Sequence, residues 1–368
     1  MKQQLKNIAV LLVLGGMLTG FGLWAALRTP DTASSAERRP LAQPPELSAS
    51  AILSGDYAKK AESAAPDQFP LRETFRRIRA LVARDVLGQK DVNGLYTVGG
   101  YAAKIEYPQQ DSSLDHAAER FQWIVDNLVT PGGGSRVFLS VIPDKGAFLA
   151  EENGYPALDY DAFIDSLRKQ LPGMDYIDLR DTLSLDSYYR TDLHWRQETL
   201  AETARALAAG MGVTLPETAY TSHTLDTPFS GIYAGQTALP LEPDALTWLT
   251  SGALDACQMW NGETGTYGPV YDLDKAGGRD PYELFLSGSL SLLRLENPGN
   301  PDGRELIIFR DSFASSLTPL MIEGYSSITL VDIRYLPSAR LDSVLDFHGQ
   351  DVLFLYSVPV LNNSDTLK

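Results

Sequence analysis

The sequence predicts an α/β fold: a mainly parallel sheet with helices on both faces, preceded by an N-terminal transmembrane helix. Three observations carry this expectation. Short continuous apolar runs recur between turn residues, as in strands buried on both faces. Amphipathic stripes at helical spacing alternate with them, the order expected of parallel strands joined through helices. An uncharged run of about 20 residues stands near the start, long enough to cross a bilayer as a helix.

That run covers residues 8–27, and Lys2 and Lys6 precede it. Basic residues before a span hold the short tail in the cytoplasm and place the rest of the chain outside. A cleaved signal peptide also begins basic and then apolar, but this run exceeds the usual signal core and lacks a clear small-x-small site. Residues 1–28 are therefore read as a cytoplasmic tail and membrane anchor. Residues 29–65 shift to Ala, Ser and Pro, including Pro30, Pro40, Pro44 and Pro45, and are expected to be a flexible linker.

Residues 66–368 are expected to form the folded domain. The spacing of Phe75, Ile78, Leu81 and Val82 predicts a helix over 69–86 that packs this stripe on a core, with arginines on its other face. Residues 93–98 and 102–107 read as a hairpin turning at Gly99-Gly100. A helix over 114–128 leads to a buried strand over 137–142. A helix over 160–171, a strand over 176–179 and a helix over 196–211 follow, the last with Leu200, Ala204, Leu207 and Met211 in a stripe. A stretch rich in Gly, Pro and Thr at about 213–281 is expected to be an irregular insertion. Residues 306–309, 328–331 and 352–355 are three further buried strands.

Composition removes several functions. Across 368 residues, 47 Asp and Glu against 31 Lys and Arg leave a net charge of −16, which repels a phosphate backbone, and no strong basic stripe offsets it. Nucleic acid is not an expected partner. The single cysteine, Cys257, excludes an intrachain disulfide framework and multi-thiolate metal sites. The four histidines, His116, His194, His223 and His348, lack metal-ligand spacing, so neither a metal nor another cofactor is expected.

Ligands of open α/β sheets lie beyond the carboxyl ends of strands, so polar residues there are the first candidates. Five Asp-Ser pairs occur, and only Asp311-Ser312 follows directly on a buried-type strand. Ser312 in that position fits either a nucleophile or a simple helix cap. A serine needs a base, and an imidazole oriented by a carboxylate serves. Asp192 and His194 are two apart in Thr191-Asp192-Leu193-His194-Trp195, so in an extended segment both side chains leave one face. A helix-start Asp beside an incidental His fits the same spacing. Tyr220, Tyr233, Trp248, Trp260, Tyr267 and Tyr271 in the insertion suit either core packing or the faces of sugar rings.

Taken in order, Asn93-Gly94-Leu95-Tyr96, Ile142-Pro143-Asp144-Lys145, Tyr188 to Trp195, Arg310-Asp311-Ser312-Phe313-Ala314 and Leu330-Val331-Asp332-Ile333-Arg334-Tyr335 resemble the DHHW family of bacterial surface proteins. That family is similar to the alginate O-acetylation proteins of the SGNH hydrolase superfamily, and the resemblance covers residues 66–368. It implies an SGNH-hydrolase-like, flavodoxin-like domain in which Ser312 is the nucleophile, His194 the base and Asp192 its orienter, the serine standing after the Asp/His pair. Two positions depart from the pattern. Leu193 replaces a histidine, and Arg310 stands where the wider superfamily commonly has glycine. Phe285-Leu286-Ser287-Gly288-Ser289 also lacks an Asn for a second oxyanion donor, leaving the Ser312 N–H as the donor nominated.

The implied function is extracytoplasmic O-acetyl transfer to a cell-surface or secreted polysaccharide through an acyl-serine. A multi-span membrane O-acyltransferase is the implied acetyl supplier, and the membrane is engaged through residues 8–27. A polysaccharide acetyl esterase and a catalytically silent glycan-binding or scaffold protein share the resemblance. The topology has a direct check: protease applied to intact cells should release a soluble fragment that begins within residues 29–66. A fragment that survives in sealed cells and is degraded only once they are opened would place the domain in the cytoplasm.

Overall fold

The computed structural model describes residues 2–368 and divides into two compact units. One comprises the chain up to Asn93 together with Ala234–Pro240; the other comprises Gly94–Tyr233 and Leu241–Lys368.

In the first unit, helix α1 (Lys2–Leu27) is long and apolar enough to cross a membrane, and none of its residues is buried. It is followed by a two-stranded ribbon, β1 (Ala33–Ser34) with β2 (Arg39–Pro40), and by helices α2 (Ala49–Ser54), α3 (Asp56–Asp67) and α4 (Arg72–Leu81). This ribbon and the helices α2 and α3 fall largely within the segment 29–65 expected to be a flexible linker. Ser48 caps α2 by accepting the Ala51 N–H at 3.2 Å, and Gly55, at φ 80°, ends it. Alanines 58, 61, 64 and 65 then favour α3 despite its polar composition. Arg39 grips Asp67 with two bonds of 2.8 and 2.6 Å, and this guanidinium is the main reason the Asp67 carboxyl falls to about 2.

α4 packs differently from expectation. Phe75, Ile78 and Val82 are 41, 51 and 42% exposed. The buried side is Ala80 and Ala83, with Ala80 and Leu81 packing among Val92, Ala238 and Leu239. Arg76 donates to the carbonyls of Gly235 (2.8 Å) and Gln236 (3.3 Å). Alanines permit the closer approach, so the small-residue side is buried and the large apolar stripe faces outward.

The second unit is the expected α/β domain. Hairpin β3 (Leu95–Val98) and β4 (Tyr101–Lys104) turns at Gly99 and Gly100, whose φ values of 57° and 85° suit a tight hairpin turn. Helix α5 (Asp111–Ile124), β5 (Val137–Ile142), α6 (Tyr160–Gln170), β6 (Asp175–Tyr176) and α7 (Ala201–Gly210) follow. Later come β7 (Thr221–Thr224), β8 (Thr247–Thr250), β9 (Gln258–Asn261), β10 (Thr266–Gly268), β11 (Leu292–Glu296), β12 (Arg304–Arg310), β13 (Tyr325–Val331) and β14 (Asp351–Ser357). The main sheet has the order β10-β9-β11-β13-β12-β14-β5-β6. From β13 to β6 all neighbours are parallel. β11, β9 and β10 extend it antiparallel. The insertion expected to be irregular thus supplies two strands of this sheet, β9 and β10.

Alternation along the strands shows why both faces are covered. Ile307, Phe309, Val352 and Phe354 pack with Phe121 of α5 and Phe163 of α6, whereas Leu306, Ile308, Leu353 and Leu355 pack with Ala204 and Leu207 of α7. Phe354 is fully buried, stacked on Phe309 at 4.8 Å and tilted against Phe121 at 4.7 Å. Phe354→Ala should cost about 3–5 kcal/mol by chemical unfolding, as a large core truncation does. Tyr335→Ala, at a side chain 54% exposed, should change stability by less than about 0.5 kcal/mol in the same measurement.

Candidate active site

β12 ends in the turn that carries Ser312. Asp311, buried at the strand end, accepts the Phe313 N–H at 3.0 Å through one oxygen. The other oxygen accepts the Ser357 N–H (2.8 Å) and hydroxyl (2.6 Å) at the end of the neighbouring strand β14. One buried carboxylate thus ties two parallel strand ends and sets the turn. Arg310, where a glycine is usual in the superfamily, is fully buried. Its guanidinium donates to the Asp311 carbonyl, the Ser315 hydroxyl (3.2 Å) and the Leu290 carbonyl (3.2 Å), bracing the turn from below. Burial pushes the Arg310 pKa down from its ordinary value.

Asp192 and His194 lie at the tip of a narrow loop. Its base is closed by the pairing of Tyr188 with Trp195 and by the Tyr189 N–H on the His194 carbonyl at 3.1 Å. The segment bends rather than extends, so the two side chains meet by a different route from that predicted. One Asp192 oxygen accepts both the backbone N–H of His194 (3.1 Å) and a bond with ring Nδ1 (2.6 Å). The other accepts the Ile232 N–H at 2.9 Å. Gly231 packs so closely against Asp192 and Thr191 that any Cβ there would collide with them.

A half-buried carboxylate and a buried amine hold this loop from outside. Asp244 accepts the N–H groups of Arg190 and Thr191 at 2.9 Å each and the Thr191 hydroxyl at 2.5 Å. Lys145, just past the end of β5 and 2% exposed, donates to the carbonyls of Tyr189 (2.9 Å), Arg190 (3.3 Å) and Asp192 (2.7 Å). Burial pushes its pKa down to about 7, although the charges of Asp192, Asp244 and Asp144 pull the other way.

The two segments converge across 118 residues of sequence: His194 Nε2 lies 2.8 Å from Ser312 Oγ. The Trp195 indole locks them together by donating to the Phe313 carbonyl at 2.8 Å. Tyr282 stacks on the His194 ring at 3.9 Å and 8°, and its hydroxyl lies 2.8 Å from the Ser316 hydroxyl. With Nδ1–H directed at Asp192, Nε2 presents a lone pair to the serine hydroxyl. Hydroxyl, imidazole and carboxylate in this order form the arrangement that transfers a serine proton to a ring nitrogen as the oxygen attacks an acyl carbon.

The other histidines lie elsewhere. His116 bonds the Ser364 hydroxyl at 3.1 Å, His223 stacks on Trp248, and His348 is exposed near Glu305 and Asp346. Among the insertion aromatics, Tyr233 and Tyr271 pack into apolar clusters, while Tyr267 is 55% exposed. Reading the sequence passed over Asp244, Gly231, Ile232 and Tyr282. All four lie within or beside the stretch read as irregular, with no local pattern to mark them. Lys145 did carry a signal, since its Ile142-Pro143-Asp144-Lys145 motif belongs to the resemblance, but the motif gave it no role.

Residues 101–247 match the family model described as the SGNH hydrolase-like domain of the acetyltransferase AlgX. A DHHW family protein from Eubacterium siraeum DSM 15702 superimposes with a TM-score of 0.59 at 22% identity, over 75% of this chain and 95% of that one. PatB1 from Bacillus cereus gives 0.58 at 15% identity, over 74% and 98%; a second PatB1 structure, with a sulfonyl adduct, gives 0.57 at the same identity over 74% and 97%. No curated protein matches the sequence. Residues 101–247 are thus similar to an SGNH hydrolase-like domain, and the fold is the one shared by the DHHW family protein and PatB1.

The depressed Lys145 has a thermodynamic consequence with a definite sign. Between about pH 7 and the ordinary lysine range the unfolded chain binds a proton that the folded chain lacks, so rising pH favours the folded state. Comparing wild type with Lys145→Met by denaturant unfolding at pH 7 and pH 9 isolates this group. The difference should move in favour of wild type by up to about 1.4 kcal/mol per pH unit; a pH-independent difference would show that Lys145 titrates normally.

Proposed function

We infer that this chain is a membrane-anchored serine O-acetyltransferase that works outside the cytoplasm on a cell-surface or secreted polysaccharide. The observation that carries the reading is the Ser312–His194–Asp192 relay, with contacts of 2.8 and 2.6 Å. The AlgX acetyltransferase family match and the N-terminal apolar helix support its class and location.

In the proposed reaction Ser312 Oγ attacks the acetyl carbonyl of a donor ester while His194 Nε2 takes the hydroxyl proton. Collapse of the tetrahedral adduct returns that proton to the departing donor oxygen and leaves acetyl-Ser312. A sugar hydroxyl then gives its proton to His194 and attacks the acyl carbon, releasing acetylated polymer and free Ser312. Asp192 keeps the ring oriented and stabilises the imidazolium in both halves. The N–H groups of Phe313, Ala314 and Ser315 are engaged by Asp311 and Ser312, so the Ser312 N–H is the oxyanion donor of this turn. A multi-span membrane O-acyltransferase would present the acetyl group on the same side of the membrane.

Ser312→Ala and His194→Ala should each reduce turnover of an activated acetyl ester by on the order of a million-fold, with the double variant no worse than either single one. Asp192→Asn should lose less, on the order of ten-thousand-fold. A trapped acetyl-sized mass increase on the Ser312 peptide would identify the intermediate. Wild-type turnover by Ser312→Ala would replace the enzyme reading with glycan binding. Acetylated oligosaccharide in a donor–acceptor mixture indicates the transferase, and free acetate alone indicates the esterase.

A further inference from the structure

Helix α4, together with Leu71 before it and the π-helical turn Val82–Val86 that continues it, presents an apolar stripe on its outer side. Leu71, Phe75, Ile78, Val82 and Val86 follow one another at steps of four, three, four and four residues, and are 50, 41, 51, 42 and 73% exposed. The helix is already held on its opposite flank, by Ala80 and Ala83 and by Arg76 on the carbonyls of Gly235 and Gln236. Burial within the unit therefore does not explain the stripe. Contiguous exposed apolar surface of this kind marks an interaction face.

Charge and neighbours identify what covers it. Of the five arginines in residues 72–86, Arg72 and Arg76 are paired with Glu37, Asp67 and Glu73, and Arg84 with Asp85, which leaves Arg77 and Arg79 as the basic charge the segment presents outward. Arg79 is exposed beside the stripe, and Arg77 is exposed on the far side of the helix. A large apolar stripe, low overall hydrophobicity and abundant arginine are the features of a helix lying in a membrane interface. The stripe also adjoins α1. Phe21 of α1 stacks on Phe69 at 5.3 Å and meets Phe75 edge-on at 5.8 Å, while Trp24 lies 6.3 Å from Phe21. The uncharged run 8–27 is about 30 Å long as a helix and matches the hydrocarbon core, so Phe21 and Trp24 lie in its last two turns, on the side that approaches the outer interface where aromatic side chains concentrate. Pairing of the stripe with a second copy would bring the two Arg79 side chains together, whereas a lipid surface with negative headgroups neutralises that charge.

We propose that the Leu71–Phe75–Ile78–Val82–Val86 face of α4 seats on the surface of a bilayer containing anionic lipid, beside the point where α1 enters it. This rests on the anchor reading of α1 and goes beyond the chemistry assigned to Ser312. The helix then fixes the height of its own unit above the bilayer, which α1 alone does not do.

The test uses the full chain with Cys257→Ser, reconstituted in vesicles of phosphatidylcholine with or without phosphatidylglycerol, and a polarity-sensitive thiol dye at Ile78→Cys or, separately, at Leu18→Cys. The expected result is a blue-shifted label at residue 78, quenched by spin-labelled lipid and shielded from aqueous iodide. That effect should be strongest with phosphatidylglycerol and weakened by salt or by Arg79→Gln. A label at 18 in lipid with one at 78 in water overturns the proposal and leaves the anchor intact; both labels in water overturn both. A blue shift at 78 that depends on protein concentration in lipid-free detergent replaces the membrane with a second copy.

Discussion

The proposed active site depends on one buried carboxylate. Asp192 is fully withdrawn from water, and an ionised carboxyl is tolerated there only if its oxygens are occupied by donors. His194 supplies two, its backbone N–H and its ring, and Ile232 supplies a third from a segment 40 residues away. The requirement propagates outward. Gly231 has no side chain because the chain must come this close to deliver the next N–H. The loop must bend rather than extend so that His194 can turn its ring and its backbone toward the same oxygen. The carbonyls displaced by that bend need donors of their own, and the ammonium of Lys145 provides them.

A second buried carboxylate does for the serine what Asp192 does for the imidazole. Asp311 couples the ends of two parallel strands, so the position of Ser312 inherits the rigidity of the sheet and not the looseness of a surface turn. Arg310 makes sense in this setting. A glycine before Asp-Ser would leave the space beneath the turn to other residues, whereas the buried guanidinium reaches both the turn and the 285–290 loop. The departure from the superfamily pattern thus replaces one way of supporting the turn with another, and leaves the relay of 2.8 and 2.6 Å in place.

The first unit obeys a different constraint. Its ion pairs, Arg39 with Asp67 and Arg72 with Glu37 and Asp67, order a sequence too poor in large apolar residues to build a core. The large apolar residues it does possess, on α1 and along α4, point outward. In an aqueous domain that distribution would be costly; at a membrane surface it is the stable one.

Much of this protein was legible from local pattern. Strands such as 306–309 and 352–355 show in sequence because a strand buried on both faces has to be apolar at every position, and the N-terminal helix shows because its run is long, apolar and uncharged. Ser312, His194 and Asp192 stand out in the sequence because a strand end, a two-residue spacing and a resemblance each point to them, and the fold brings the three side chains together. The tertiary structure alone decided the rest. Periodicity locates an apolar stripe but not the side of a helix that packs, so of the stripe Phe75, Ile78, Leu81 and Val82 only Leu81 joins the cluster around Ala80. The antiparallel strands β9 and β10 are too short, at four and three residues, for alternation to register. Asp244, Lys145 and Tyr282 act at the site through contacts that cross tens of residues, and a contact between distant segments has no local period to read; it exists only once the sheet has brought their strand ends together.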